Sequence, residues 1–250
     1  MPGKPAEATA PGGKGPKRWL IGAALTALVL SIGTIILAAG TFEVGRIHFS
    51  GLHRVSYDEA YRAAGIGAGD FMGTLDTEHG EQSLEELPWI ADARIRRRWP
   101  ATVEVDVVER TAVALALAAP RCWVLTDIEG RILTSPLAAP PELPRLSGIS
   151  AAPEPGGYLA SDAAALLRVL DAARGQHGFT VVALWRDGRG DVRARVRQQP
   201  GGAPFEVALG DESAIGAKTA AIAAVISDLE HSDDILDVSV PHLPVVRGAN

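Results

Sequence analysis

Apolar residues along this chain fall into one long unbroken run near the N-terminus. After it come many short segments with periods of two, or of three to four. Residues 20–39 carry no charged side chain and consist of Leu, Ile, Val, Ala and Gly with the hydroxyls of Thr26, Ser31 and Thr34. At about 1.5 Å per residue this run reaches about 30 Å, the thickness of the hydrocarbon core of a bilayer. A backbone in lipid must satisfy its own hydrogen bonds, so a transmembrane helix is predicted over 19–41, with Trp19 and Phe42 at the two interfaces. Lys4, Lys14, Lys17 and Arg18 precede the run, opposed only by Glu7, while Glu43 and Arg46 behind it cancel. The positive-inside preference then leaves the N-terminus in the cytoplasm and the remainder outside. A cleaved signal peptide is the competing reading. Its apolar core would span only about 7–15 residues, which favours an uncleaved anchor, although the small residues around Leu37-Ala38-Ala39-Gly40 suit cleavage. Ala23, Ala27 and Ser31 lie four apart, as in close helix packing or simply in an alanine-rich span. Residues 1–18, rich in Pro, Gly and Ala, cannot build a core and are predicted to be a disordered tail.

Beyond the run, residues 42–49 partly alternate and predict a strand ended by Ser50-Gly51. Ser56-Tyr57-Asp58-Glu59 has the form of a capping box, so a short helix to about Ala64 is predicted, stopped by Gly65. A second helix over 76–87 is capped by Asp76 or Thr77 and halted by Pro88. Strands follow at 91–99 and 102–110, joined at Pro100-Ala101. In the second, Val103, Val105 and Val107 face one way and Glu104 and Asp106 the other. Arg94, Arg96 and Arg98 share a face of the first strand. They form either a basic patch or one half of cross-strand ion pairs with Glu104 and Asp106, and the hairpin favours the pairs.

Residues 113–118 and 123–126 are apolar strand candidates. Asp127 to Gly130 reads as a turn, 131–133 as renewed strand, and the proline-rich stretch 136–155 as an irregular loop. Ser161 is placed to cap a helix with Leu166, Leu167 and Leu170 on one face. Strands are predicted at 179–185, 192–196 and 205–209, with a hairpin loop at 198–203. Ser213 is placed to cap a helix on which Ile215, Ile222, Val225, Ile226 and Leu229 recur at helical spacing. Residues 235–240 alternate as a strand, and 243–246 is a last apolar stretch. The predicted fold class is α+β: one transmembrane helix, a βααββ domain, and a mixed β-sheet domain with flanking helices.

Composition narrows the chemistry. A net charge of -6 argues against a nucleic-acid partner. The single cysteine, Cys122, excludes an internal disulfide framework, and its apolar neighbours Trp123 and Val124 make it a buried structural thiol rather than a nucleophile. The histidines His48, His53, His79, His177, His231 and His242 show no ligand spacing. Gly65, Gly67 and Gly69 follow a helix instead of opening one, so they are not a phosphate loop. Asp127 to Gly130 lacks the remaining ligands of a calcium loop. Glu85-Glu86 and Asp233-Asp234 are adjacent pairs that point apart, not an acid/base dyad. No catalytic, cofactor or metal residue is assigned, and no small-molecule substrate is expected; the function expected is protein binding.

The order strand, helix, helix, strand, strand resembles a POTRA domain. Ile47-His48-Phe49-Ser50-Gly51, Leu87-Pro88-Trp89-Ile90, Arg98-Trp99-Pro100 and Val107-Val108-Glu109-Arg110 together are similar to the bacterial cell-division FtsQ (DivIB) family. The segments Leu143-Pro144-Arg145-Leu146-Ser147-Gly148 and Leu236-Asp237-Val238 resemble recurring family segments too, which makes 136–155 a loop within a domain rather than a linker between domains. Where Ser239 stands the family often has arginine. The resemblance implies a tail at 1–18, a membrane helix at 19–41, a POTRA domain at 42–111, an FtsQ-type β domain at 112–247 and a C-terminal tail at 248–250. It implies a non-enzymatic scaffold at the division septum that binds FtsB-like and FtsL-like proteins and other divisome membrane proteins. The partner-binding positions so implied are Val240, Pro241, His242, Leu243, Pro244, Val245 and Val246, an exposed sheet edge on which Pro241 and Pro244 limit the available amides. A POTRA-bearing transport or chaperone component is the alternative, and a membrane-anchored enzyme a more distant one.

Overall fold

The computed structural model describes residues 17–38, 42–119, 122–134, 143–150, 154–199, 201–228 and 235–248. The predicted tail up to residue 16, together with Leu229, His231, Asp233 and Asp234, lies outside them. Two compact units are present: Met1–His48 with Ile66–Leu75 and Arg96–Glu104, and Phe49–Gly65 with Asp76–Ile95 and Val105–Asn250.

The first unit holds α1 (Lys17–Ala38), whose window Trp19–Ile36 is long and apolar enough to cross a membrane. Its three hydroxyls are not left bare. Thr26, Ser31 and Thr34 donate to the carbonyls of Gly22, Ala27 and Leu30, four residues back, at 2.9, 2.7 and 2.6 Å. After the helix, Met72 donates its N–H to the Phe42 carbonyl and Val44 to that of Asp70, both at 2.8 Å. Residues 42–44 therefore pair with 70–72, and β1 (Arg46–Ser50) begins later than the alternation predicts.

In sequence order β1 is followed by α2 (Tyr57–Ala64), α3 (Thr77–Glu86), β2 (Ile90–Arg98) and β3 (Thr102–Glu109). These make the expected βααββ order, with sheet order β1-β3-β2. Ser56 caps α2, its Oγ accepting the Glu59 N–H at 3.3 Å, and Gly65 ends the helix at φ 64°. Asp76 caps α3 through the His79 N–H at 3.0 Å. Of the predicted cross-strand pairs, Arg98 meets Glu104 at 2.8 Å, while the Asp106 carboxylate also accepts the Ser50 hydroxyl at 2.6 Å.

The rest of the second unit is a nine-stranded mixed sheet. Its strands are β4 (Ala114–Ala119), β5 (Cys122–Thr126), β6 (Ile132–Thr134), β7 (Arg145–Ser147), β8 (Phe179–Arg186), β9 (Val192–Gln198), β10 (Pro204–Gly210), β11 (Ile235–Asp237) and β12 (Val245–Arg247). Their order is β12-β11-β10-β9-β8-β7-β4-β5-β6. β7 lies inside the stretch read as irregular. It pairs in parallel with β4 on one side and β8 on the other, so three residues bridge the two halves of the sheet. Three residues after a proline give no readable period; Leu146, fully buried, is what fixes them.

One face of the sheet carries α4 (Ala164–Arg174) and α5 (Ile215–Val225). Leu146, Leu184, Ala194, Val207 and Leu236 form a row across five strands and pack in one core with Leu166, Leu170 and Ile222 of the helices. Each leucine so buried contributes about 1.5–3 kcal/mol. Neither predicted serine cap is realised. Ser161 opens a single 3-10 turn, and Ser213 bonds Asp211 Oδ1 at 2.6 Å instead of the start of α5. α5 also buries Lys218 completely, with Nζ 2.7 Å from Asp211 Oδ1. Cys122 is half-buried at the start of β5 rather than fully buried.

Candidate functional site

A strand at the end of a sheet presents N–H and C=O groups with no partner, so sheet edges are where a second polypeptide can add. The second unit contains two such edges of different character. β2 is the last strand of the three-stranded sheet, and two of its outward amides, in the middle of the strand, are already used. Glu81 and Glu85, one turn apart on α3, accept the N–H groups of Ile95 and Ala93 at 2.7 and 3.3 Å. Carboxylates of the same domain thus occupy the positions where a foreign carbonyl would bind.

β12 is capped by nothing comparable among the described residues. It pairs on one side with β11, with Ile235 opposite Arg247, Leu236 opposite Val246 and Asp237 opposite Val245. No described strand lies on its other side. Val245 and Val246 remain 44% and 45% exposed, although Val246 prolongs the buried row that ends at Leu236. An apolar side chain at the rim of the core and backbone groups that face away from β11 both belong to Val246.

The seven residues 240–246 divide between a turn and this strand. Val240, Pro241, His242, Leu243 and Pro244 make the connection from β11, closed by the Leu243 N–H on the Val240 carbonyl at 3.0 Å. Only Val245 and Val246, joined by Arg247, are strand. This changes the role of the two prolines. Both fall in the turn, so neither removes a donor from β12. Val240 and Leu243 project 47% and 64% exposed apolar side chains beside the edge.

Asp237 organises the turn. Its Oδ1 accepts the Ser239 N–H at 3.0 Å and the Ser239 hydroxyl at 2.6 Å, and its Oδ2 meets Arg247 at 2.8 Å. Burial alone would raise this carboxyl, but the Ser239 bonds and the charges of Arg247 and Arg193 hold it below the ordinary value. Ser239 is thus a local cap, and the cation on Asp237 comes from Arg247. Gly210, at φ 69°, lets the turn close: a Cβ there would lie 2.9 Å from the Ser239 Cβ.

Away from the edge, the motif residues of 107–110 have structural partners. The Glu109 carboxylate accepts the N–H groups of His53, Arg54 and Val55 at 2.8, 2.8 and 3.0 Å. Arg110 donates to Asp127 at 2.6 Å and to Glu129 at 2.8 Å. The other Asp127 oxygen takes the N–H groups of Glu129 and Arg131 at 3.0 and 2.8 Å, so the turn that superficially resembles a calcium loop has its carboxylate engaged by protein donors. Among the described residues no group of three or more His, Cys, Asp or Glu side chains is placed to hold a metal ion.

Residues 42–110 match the family description "POTRA domain, FtsQ-type". Curated relatives carry the name cell division protein FtsQ. One from Myxococcus fulvus is 33% identical over 60% of this chain and 55% of the relative. One from Novosphingobium aromaticivorans is 36% identical over 45% of this chain and 35% of its own length. One from Xanthomonas campestris is 28% identical over 72% of this chain and 68% of the relative. For the first two, the matched region is about half or less of the relative's length.

Proposed function

We propose that this chain is a member of the FtsQ family and a cell-division scaffold that acts by binding other proteins and not by catalysis; the FtsQ-type match over residues 42–110 and the similarity to relatives named cell division protein FtsQ support this reading. On this reading α1 is a single-pass anchor with the N-terminus in the cytoplasm. Residues 42–111 and 112–247 are the POTRA and β domains outside the membrane, concentrated at the septum. FtsB-like and FtsL-like proteins are the partners, and they link early division components to septal wall synthesis. The observation that carries the proposal is the uncapped β12, whose outward backbone groups at Val246 lie beside exposed Val240, Leu243 and Val245. Added strands gain main-chain hydrogen bonds on such an edge, and neighbouring apolar side chains supply the selectivity.

A crosslinking amino acid at Val245 in dividing cells tests this. Leu236 and Val238 turn their backbone groups to β10, so Asp237 and Ile235 bond Val245 and Arg247, and Val246 is the residue whose N–H faces the open side. The expected result is an adduct with an FtsB-like protein, lost in the Val246→Pro variant, which removes that outward donor, while a fluorescent fusion gathers at midcell. Adducts that persist in Val246→Pro, or fluorescence spread evenly over the membrane, overturn it.

A further inference from the structure

The helix-covered face of the nine-stranded sheet is closed by α4 and α5; on the opposite face Leu115, Leu125 and Leu133 are buried in a small second core with Trp89 and Leu143, and only the part from β7 to β10 carries a different chemistry. Cross-strand register places Leu115, Arg145, Ala183, Arg195 and Glu206 in one row on that opposite face. The Arg145 guanidinium lies over the Trp123 ring, 5.8 Å from its centroid, and Arg195 over Trp185 at 5.9 Å. Arg197 follows Arg195 on the same side of β9. All three arginines are exposed, and no carboxylate reaches any of them among the described residues. Their neighbour Arg193 contrasts with them: Asp187 and Glu206 pair with it at 3.1 and 2.8 Å. Cationic groups in the middle of the face are left uncompensated on a chain whose net charge is -6.

We propose that this open face, centred on Arg145, Ala183 and Arg195, binds an acidic polypeptide segment of a partner protein, separately from the β12 edge. Charge complementarity selects the occupant. A guanidinium held over an indole keeps its N–H groups for bidentate carboxylate bonds and loses less freedom on binding. Arg145 and Arg195 are separated by β8, about 10 Å at two strand spacings, a gap that about three residues of extended chain cross. Ala183 between them is a low floor for that chain.

The test uses the full chain in nanodiscs and a fluorescein-labelled peptide of Glu-Ala-Ala repeats, with a Lys-Ala-Ala peptide as control. The acidic peptide is expected to bind with an affinity that falls as salt rises. Arg145→Glu with Arg195→Glu weakens it about tenfold or more, the loss of two charge-assisted contacts. Ala183→Asp, which keeps both arginines, weakens it as well. Arg168→Glu in α4 and Val246→Asp at the edge leave it unchanged, which separates this face from the strand-addition site. The proposal is overturned if the wild type ignores the peptide, if the double reversal binds it equally, or if inorganic phosphate or phosphatidylglycerol vesicles displace it at equal charge.

Discussion

Arg110 and Asp127 are 2.6 Å apart with only 12% and 6% of their side chains exposed, so the last residue of the FtsQ-type match is tied to the turn between β5 and β6 by an ion pair largely shielded from water. Arg110 also donates to the Ile90 carbonyl at 3.1 Å, and Arg131, two residues beyond Glu129, donates to the Glu85 and Glu86 carbonyls at 3.1 and 2.9 Å. The end of α3, the start of β2 and the β5–β6 turn thereby share one network of two arginines. Breaking such a pair strands a charge away from water. Arg110→Ala is expected to destabilise the chain by about 3–5 kcal/mol, read from a urea titration followed by tryptophan fluorescence. A loss below about 1 kcal/mol would mean the pair is solvated in solution.

Glu109 gives a pH dependence with a definite sign. Burial would raise its carboxyl, but N–H bonds from His53, Val55 and Arg54 outweigh that and hold it below 4.5. A carboxyl lowered in the folded state contributes stability that is complete above its unfolded value and fades as pH falls through the folded one. Asp211, held at about 2 chiefly by the hydrogen bond from Lys218, acts in the same direction at lower pH. Glu109→Gln should cost roughly 1–2 kcal/mol at neutral pH and flatten the fall of Tm below pH 4.5. Parallel Tm–pH curves for wild type and variant would refute the assignment.

Glu81 and Glu85 are expected to protect the β2 edge. Replacing both with Ala frees the N–H groups of Ile95 and Ala93. Hydrogen exchange at these two amides should then accelerate by about tenfold or more, and self-association should rise with concentration as the bare edge pairs with another copy. Unaltered exchange at both amides would show that the carboxylates do not hold them.

Gly51 is the position at which a small change should do most harm. Its φ is 81°, and a Cβ would sit 1.9 Å from the Val107 carbonyl oxygen. Gly51→Ala therefore requires the β1 end or β3 to move, with an expected loss of about 2–4 kcal/mol. Gly65→Ala, at φ 64° but with open space around it, should lose only about 1 kcal/mol from conformation. Equal losses at the two sites would remove the steric explanation.

Much of the local structure was readable because its causes are local. The charge-free run over 20–39 dictates a helix that lipid can accept, and Ser56, Asp76, Gly65 and Pro88 bound α2 and α3 by hydrogen bonds and dihedral limits within a few residues. The alternation of Val103, Val105 and Val107 determines which side of β3 is buried. The apolar end of the chain, including Val245 and Val246, was also apparent as a segment.

What the tertiary structure alone decided depends on partners distant in sequence. β7 exists because Leu146 is enclosed between β4 and β8, not because three residues prefer to be extended. Ser161 and Ser213 lost their predicted roles as caps, Ser213 to the nearby Asp211. Lys218 is buried because a turn brings Asp211 to its ammonium group. The contrast between a β2 edge stopped by Glu81 and Glu85 and an open β12 edge likewise required the sheet order, since an unpaired amide is defined by which strand comes next in space, and the chain's order does not state it.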